Sequence, residues 1–160
     1  MTLQVIPSGE EGVKVTLKIM REQVRRWKVD PNIRRLALSI VEQAGQKDYR
    51  KEIKLLHAWV RDRIRYVRDI NGVETLHTPP RILEQGQGDC DDKSILLAVL
   101  LESIGHPTRF VAVGFQPFRY CHVYVETLFG KNDWVPLETT EPVAAGWAPP
   151  NVKARLVVHN

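Results

Sequence analysis

The sequence predicts an α+β domain in which a central, fully buried helix packs on an antiparallel sheet. Three observations carry this. Apolar residues recur at helical spacing through most of the chain up to about residue 104. The stretch Ile95–Leu101 is apolar on every face of a helix, and a helix apolar all round is buried all round. After Gly105 the chain changes to β-branched and aromatic segments separated by turns. Helices first and strands afterwards place the helices on one side of an antiparallel sheet.

Taken in order, residues 1–15 read as extended or loop-like. Residues 16–28, "TLKIMREQVRRWK", form a short basic amphipathic helix with Leu17, Met20, Val24 and Trp27 on one stripe. Asp30 then caps a second helix that has Pro31 as its first residue and stops at Gly45. A third helix spans about Tyr49 to Ile64, with Ile53, Leu56, Trp59, Val60 and Ile64 inward. "RYVRD" leaves it as a short strand or extended exit. Residues 69–88 carry Asn71-Gly72, Pro79-Pro80, Gly86 and Gly88 and read as one long connection, of the kind that is often functional. The buried helix covers residues 90–104 and ends at Gly105, with Pro107 beyond. Strands follow in "TRFVAVGF", "YCHVYVETL" and "DWVPLE", the last two joined as a hairpin through "FGKND". The tail is Pro-rich, and its "ARLVVH" supplies one more strand.

Composition narrows the function. The chain has 160 residues, 43% of them hydrophobic and 26% charged, which suits one soluble domain with a real core. The net charge is +4, and basic residues crowd the stretch from Lys14 to Arg35, where they alternate with apolar positions. That pattern is a solvated helix face rather than a nucleic-acid patch. Two cysteines make neither a disulfide framework nor a CxxC zinc motif. No signal peptide and no membrane-spanning run is read, so the expected location is the cytoplasm or a larger particle that carries the chain.

The chemistry concentrates at "GDCDDKS". Cys90 opens the buried helix, where unpaired backbone N–H groups and the dipole favour a thiolate. A nucleophilic thiol also needs a base, a group to orient that base, and oxyanion donors. Alternation along residues 120–127 puts Tyr120, His122, Tyr124 and Glu126 on one face and Cys121, Val123, Val125 and Thr127 on the other. Cys121 therefore reads as a core residue, and Cys90 as the nucleophile with His122 as its base. Glu138 closes the next strand, where a hairpin brings it within reach of His122; Glu126 and Glu141 are its rivals.

These residues resemble a known family. "GDCDDKSILLAVLLESIGHPTRFVAVG", then "HVYVE", then "WVPLETT" look like the transglutaminase-like superfamily, over roughly residues 48–140. "GDCDDKS" and the preceding "RYVRD…E…TPPRIL" look most like its short phage and prophage members. The resemblance implies a papain-like fold with residues 1–47 as a helical extension, 48–140 as the catalytic core and 141–160 as a tail. It implies a Cys90-His122-Glu138 triad, although the family usually has Asp at the last position. It implies an oxyanion hole made of the Cys90 N–H and a side chain. Gln85 is the leading candidate there, ahead of Gln87, Tyr66 and Trp59.

The expected activity is cysteine-dependent acyl transfer, with hydrolysis of peptide or isopeptide bonds favoured over crosslinking. The alternative is a virion or assembly component that keeps the fold without turnover. The partners are then a protein or peptide substrate, or other virion proteins, with no membrane. No cofactor or metal is expected, and Cys90, Asp92 and His122 match no common ligand spacing. Asp89, Asp91 and Asp92 read as first-turn acids that suit the helix dipole. His57 and His77 read as surface or loop residues, Trp59 as core, and Trp134 as packing beside the site.

Overall fold

The computed structural model describes residues 9–68 and 76–160. Of the extended start expected over residues 1–15, residues 1–8 lie outside the described residues, as does the turn at Asn71-Gly72. Five helices and six strands follow in the order α1 (Glu10–Trp27), α2 (Pro31–Ile40), α3 (Tyr49–Arg63), β1 (Arg65–Tyr66), α4 (Pro79–Gln85), β2 (Gln87–Gly88), α5 (Cys90–Ser103), β3 (Thr108–Gly114), β4 (His122–Leu128), β5 (Trp134–Leu137) and β6 (Ala154–His159).

α5 is the axis of the domain. Every residue from Asp92 to Leu101 on it is buried. α1, α2, α3 and α4 pack around it, and β3 and β4 cover its remaining side. Each of its leucines and isoleucines contributes about 1.5–3 kcal/mol relative to exposure. The sheet runs β5-β4-β3-β6, antiparallel throughout. Phe110, Ala112, Val123, Val125 and Leu137 face the helices. Val111, Val113 and Tyr124 form a smaller cluster on the opposite face with Val152 and Val157. β5 is an edge strand, which is why it tolerates Pro136. A separate parallel pair, β1 with β2, joins the exit of α3 to the approach to α5.

Several boundaries differ from the sequence reading. α1 begins at Glu10 rather than residue 16. Gly9, at φ 80°, starts it, Glu10 and Glu11 suit its N-terminal dipole, and the buried stripe extends back to Gly12 and Thr16. α2 has Asp30 as its cap, accepting from Asn32 N–H at 2.9 Å and Ile33 N–H at 3.1 Å. It ends at Ile40 instead of Gly45, because the chain must turn through 41–47 to present Asp48 as the cap of α3. The connection expected over 69–88 contains α4. Its Pro79-Pro80 pair starts a helix behind the Thr78 cap, and Gly86 at φ 64° closes it.

The tail's "ARLVVH" forms the strand that its pattern predicts: β6 completes the sheet beside β3. Trp134 lies at the end of the sheet away from His122, paired with Leu128. There it stacks under the Arg109 guanidinium at 4.4 Å and against His159. Trp59 is only partly buried against the core.

Candidate active site

The N-terminus of α5 is built by its acids. Asp89 is the cap and accepts from Asp92 N–H at 2.9 Å, while Asp92 accepts from Asp89 N–H at 3.4 Å. This reciprocal pair satisfies two backbone donors of the first turn. Asp92 is buried and does more than suit a dipole. It also accepts from His77 N–H at 3.1 Å and meets His77 Nδ1 at 3.0 Å, which ties residues 76–78 to the helix. A Cβ on Gly88 would lie 2.6 Å from the Asp92 Cβ, so only glycine lets β2 pass this close.

Cys90, the first residue of α5, is thus held on a rigid tip. Its thiol is directed at Asp91 Oδ1, 3.7 Å away. Burial first, then the Asp91 and Asp89 charges, push the thiol well above its ordinary pKa, and a hydrogen bond from the Val123 backbone only partly offsets them. In this resting arrangement the sulfur is protonated. Among the described residues no hydrogen bond joins it to His122.

His122 and Glu138 are in close contact, Nε2 to Oε2 at 2.5 Å. The antiparallel pairing of β4 with β5 brings them together, since Leu137 stands opposite Val125 and Glu138 follows directly. Glu138 is 1% exposed, yet its other oxygen accepts from Thr140 N–H and Oγ1, both at 2.9 Å. Burial alone would raise this carboxyl. The bonds from His122 and Thr140 outweigh it and hold the group below the usual carboxylate range. Glu138 occupies Nε2, which leaves Nδ1 of His122 for a thiol. The rival Glu126 is engaged by Arg109, at 2.6 Å from Nε, and by Arg155, and Glu141 is exposed.

Cys90 and His122 line one cleft of about 220 Å³. Val13, Thr16 and Leu17 of α1 form one wall, and Tyr66, Tyr120 and Cys121 contribute to the others. Cys121 is exposed here rather than in the core, one residue before β4 begins at His122. Of the oxyanion candidates, Tyr66 lines the cleft. Gln85 does not: it ends α4 exposed, with its amide oxygen, once the amide is oriented to suit its neighbours, accepting from Arg81 at 3.2 Å. Gln87 lies exposed on β2, and Trp59 lines a different groove between α2 and α3.

Two buried groups support the site from below, and sequence reasoning missed both. Lys93 donates from Nζ to Arg61 O at 3.2 Å and to Ile64 O at 2.5 Å, which draws the end of α3, and with it Tyr66, onto α5. Burial pushes its ammonium down to about 8. His57 is 1% exposed, not a surface residue, and its Nε2 meets Glu138 O at 2.5 Å. No sequence signal marks it, because it acts across 81 residues. Thr140 was discoverable, two residues after the acid in "LETT". Among the described residues, no group of three or more His, Cys, Asp or Glu side chains gathers to hold a metal.

The sequence pattern of the transglutaminase-like superfamily matches residues 34–139. The chain belongs to that superfamily. No curated protein matches it in sequence. Among solved structures it is similar to a candidate protease from Parabacteroides distasonis, at TM-score 0.67 and 12% identity, covering 99% of this chain and 34% of that one. It is similar to a candidate cysteine protease from Cytophaga hutchinsonii, at TM-score 0.57 and 15% identity, covering 89% and 52%. It is similar as well to calcium-bound LapG of Legionella pneumophila, at TM-score 0.59 and 16% identity, covering 86% and 80%. The chain therefore spans about a third and about half of the first two relatives. At these identities the likeness is one of fold, and it bears out the mixed helix-and-sheet architecture with a papain-like, transglutaminase-like core. Among the described residues no helix is long and apolar enough to cross a membrane.

Proposed function

We propose that this chain is a cysteine-dependent hydrolase of peptide or isopeptide bonds, with Cys90 as nucleophile, His122 as base and Glu138 as the orienting acid. The observation that carries the reading is the His122–Glu138 pair at 2.5 Å, with its carboxylate buried and its imidazole lining the same cleft as Cys90. The fold shared with proteins described as candidate proteases supports a protein or peptide substrate.

Rotation of the Cys90 side chain away from Asp91 and toward His122 starts the reaction. Catalytic contacts of this kind often tighten only when substrate is bound. The thiol proton passes to His122 Nδ1, and the sulfur attacks the amide carbonyl carbon. The resulting oxyanion faces the Cys90 backbone N–H, with the Tyr66 hydroxyl as the side-chain donor in place of Gln85. The C–N bond breaks as His122 protonates the leaving amine. Water, deprotonated by His122, then attacks the thioester, releases the acid and regenerates the thiol. Glu138 holds the imidazole in one tautomer and stabilises the imidazolium.

One observation favours a second reading. The acids and burial around Cys90 oppose a thiolate, which suits a non-enzymatic component that keeps the fold. A phage or prophage origin, with a role in virion assembly, belongs to that reading. Electrophilic thiol labelling separates the two. The hydrolase reading expects Cys90 to label in the intact chain and the label to disappear in Cys90→Ala. Labelling of Cys121 alone, with co-purification of the chain with particles, overturns it.

A further inference from the structure

Glu138 is the first residue past β5, so the sheet no longer fixes its backbone. Its carboxylate is held by His122 and Thr140, but both are neighbours on the same side of the fold. The remaining tie comes from the helical layer. His57, in the middle of α3, points its Nε2 at the Glu138 carbonyl oxygen, at 2.5 Å, from a site that is 1% exposed. A carbonyl oxygen only accepts, so Nε2 must carry the proton and donate. We propose that His57 is a positioning residue: its Nε2–H fixes the Glu138 backbone, and through it the carboxylate that orients His122.

Three observations converge on this role. First, burial holds His57 below its ordinary pKa, with Arg61 nearby acting in the same direction and Glu138 and Asp62 opposing it, so the ring is a neutral donor in the resting fold. Second, α3 is itself tied down just C-terminal to His57. Lys93 binds the carbonyls of Arg61 and Ile64, and Arg61 Nη1 donates to Val143 O at 2.9 Å, just beyond Glu138. The donor therefore sits on a fixed element. Third, an apolar residue would fill the same space at lower desolvation cost, but would leave the Glu138 carbonyl unpaired in a buried position.

The role rests on the proposed chemistry only for its effect on Cys90; the effect on the His122–Glu138 contact stands apart from it. Two readouts therefore go together, in a Cys121→Ser background that leaves one thiol. The first is the proton resonance of the His122 imidazole N–H, which a short bond to a carboxylate moves far downfield. The second is the rate of Cys90 alkylation by iodoacetamide across pH. In His57→Leu the downfield resonance should broaden or vanish and alkylation on the rising limb should slow about tenfold, as when a supporting hydrogen bond behind a functional group is removed. His57→Gln places an amide donor at similar reach and should restore both, which a loss of packing alone would not allow. With Glu138→Gln already present, His57→Leu should slow alkylation by less than about twofold, since the two act in series. An unchanged resonance in His57→Leu, or equal losses in the Leu and Gln variants, overturns the proposal. If Cys90 alkylates as an ordinary thiol in every form while the resonance is lost only in His57→Leu, the hydrolase reading falls and the positioning role stands.

Discussion

Exchanging Asp91 for Asn removes a negative charge 3.7 Å from the Cys90 sulfur while keeping an oxygen that can accept from the thiol. At that separation two unit charges interact by about 1 kcal/mol in a water-like dielectric and by about 4 kcal/mol at an effective dielectric of 20. Asp91 is half-exposed, so the lower end applies. About 1 kcal/mol is close to one pH unit, since 1.36 kcal/mol corresponds to a full unit. The Cys90 alkylation midpoint should therefore move down by about one unit in Asp91→Asn. A thiolate of lower pKa is also intrinsically less nucleophilic, so the plateau rate should fall by about threefold while the rate below the midpoint rises by about threefold. Loss of a first-turn acid should cost about 0.3–1 kcal/mol of stability. The assay is iodoacetamide alkylation against pH in a Cys121→Ser background. A midpoint that stays in place, or moves up, refutes the view that Asp91 opposes the thiolate.

Three further outcomes follow from the same contacts. Glu138→Gln turns a donor toward His122 Nε2 and reverses the tautomer, so the proton moves to the nitrogen meant for the thiol; turnover should drop by about 10²–10⁴, and a loss under tenfold in peptide cleavage would exclude Glu138 as the orienting acid. Gly114→Ala places a Cβ 1.4 Å from the Arg119 carbonyl oxygen, a backbone clash that must shift the 115–120 loop; stability should fall by about 3 kcal/mol or more, and Tm by about 6 °C or more, read by thermal denaturation. Acid should destabilise the fold in two stages. His57 sits below its ordinary 6.5 because it is buried neutral, so the unfolded chain takes up the proton first and stability falls as pH drops below that value. Glu138 sits below its ordinary 4.5, and adds its own loss as pH falls below that. Urea midpoints measured from about pH 7 down to about pH 4 should decline, and His57→Gln should flatten the upper stage; a midpoint that climbs on acidification contradicts this.

Most of the fold was legible because its signals are local. α5 announced itself by being apolar on every face, and the strand alternation correctly separated Val123 and Val125 from Tyr124 and Glu126. α4 was hidden because Pro79-Pro80 signals a turn and a helix start equally well, and only the Thr78 cap and Gly86 distinguish them. Cys121 was misplaced because alternation was extended one residue beyond the strand's start. In the site, Cys90, His122 and Glu138 lie in motifs that sequence order exposes. Gln85 ends α4 exposed, turned along its own helix toward Arg81 and outside the lining of the Cys90 cleft, a placement that the local motif does not fix. His57 and Lys93 were invisible because each bonds a backbone carbonyl far along the chain, and a carbonyl belongs to every residue alike.

The wall that α1 contributes to the cleft changes how the ends of the chain should be handled. α1 precedes the stretch that matches the superfamily, yet Val13, Thr16 and Leu17 face the same space as Cys90. The proposed catalytic residues and the cleft wall beside them are thus encoded in separate stretches of the chain. Exchanging Val13 should reshape this wall without removing any residue of the proposed triad, which makes α1 the natural place to redesign what the cleft admits. An affinity tag fused close to Gly9, or a cut that shortens α1, acts on the cleft itself, so a dead preparation made that way says nothing about Cys90.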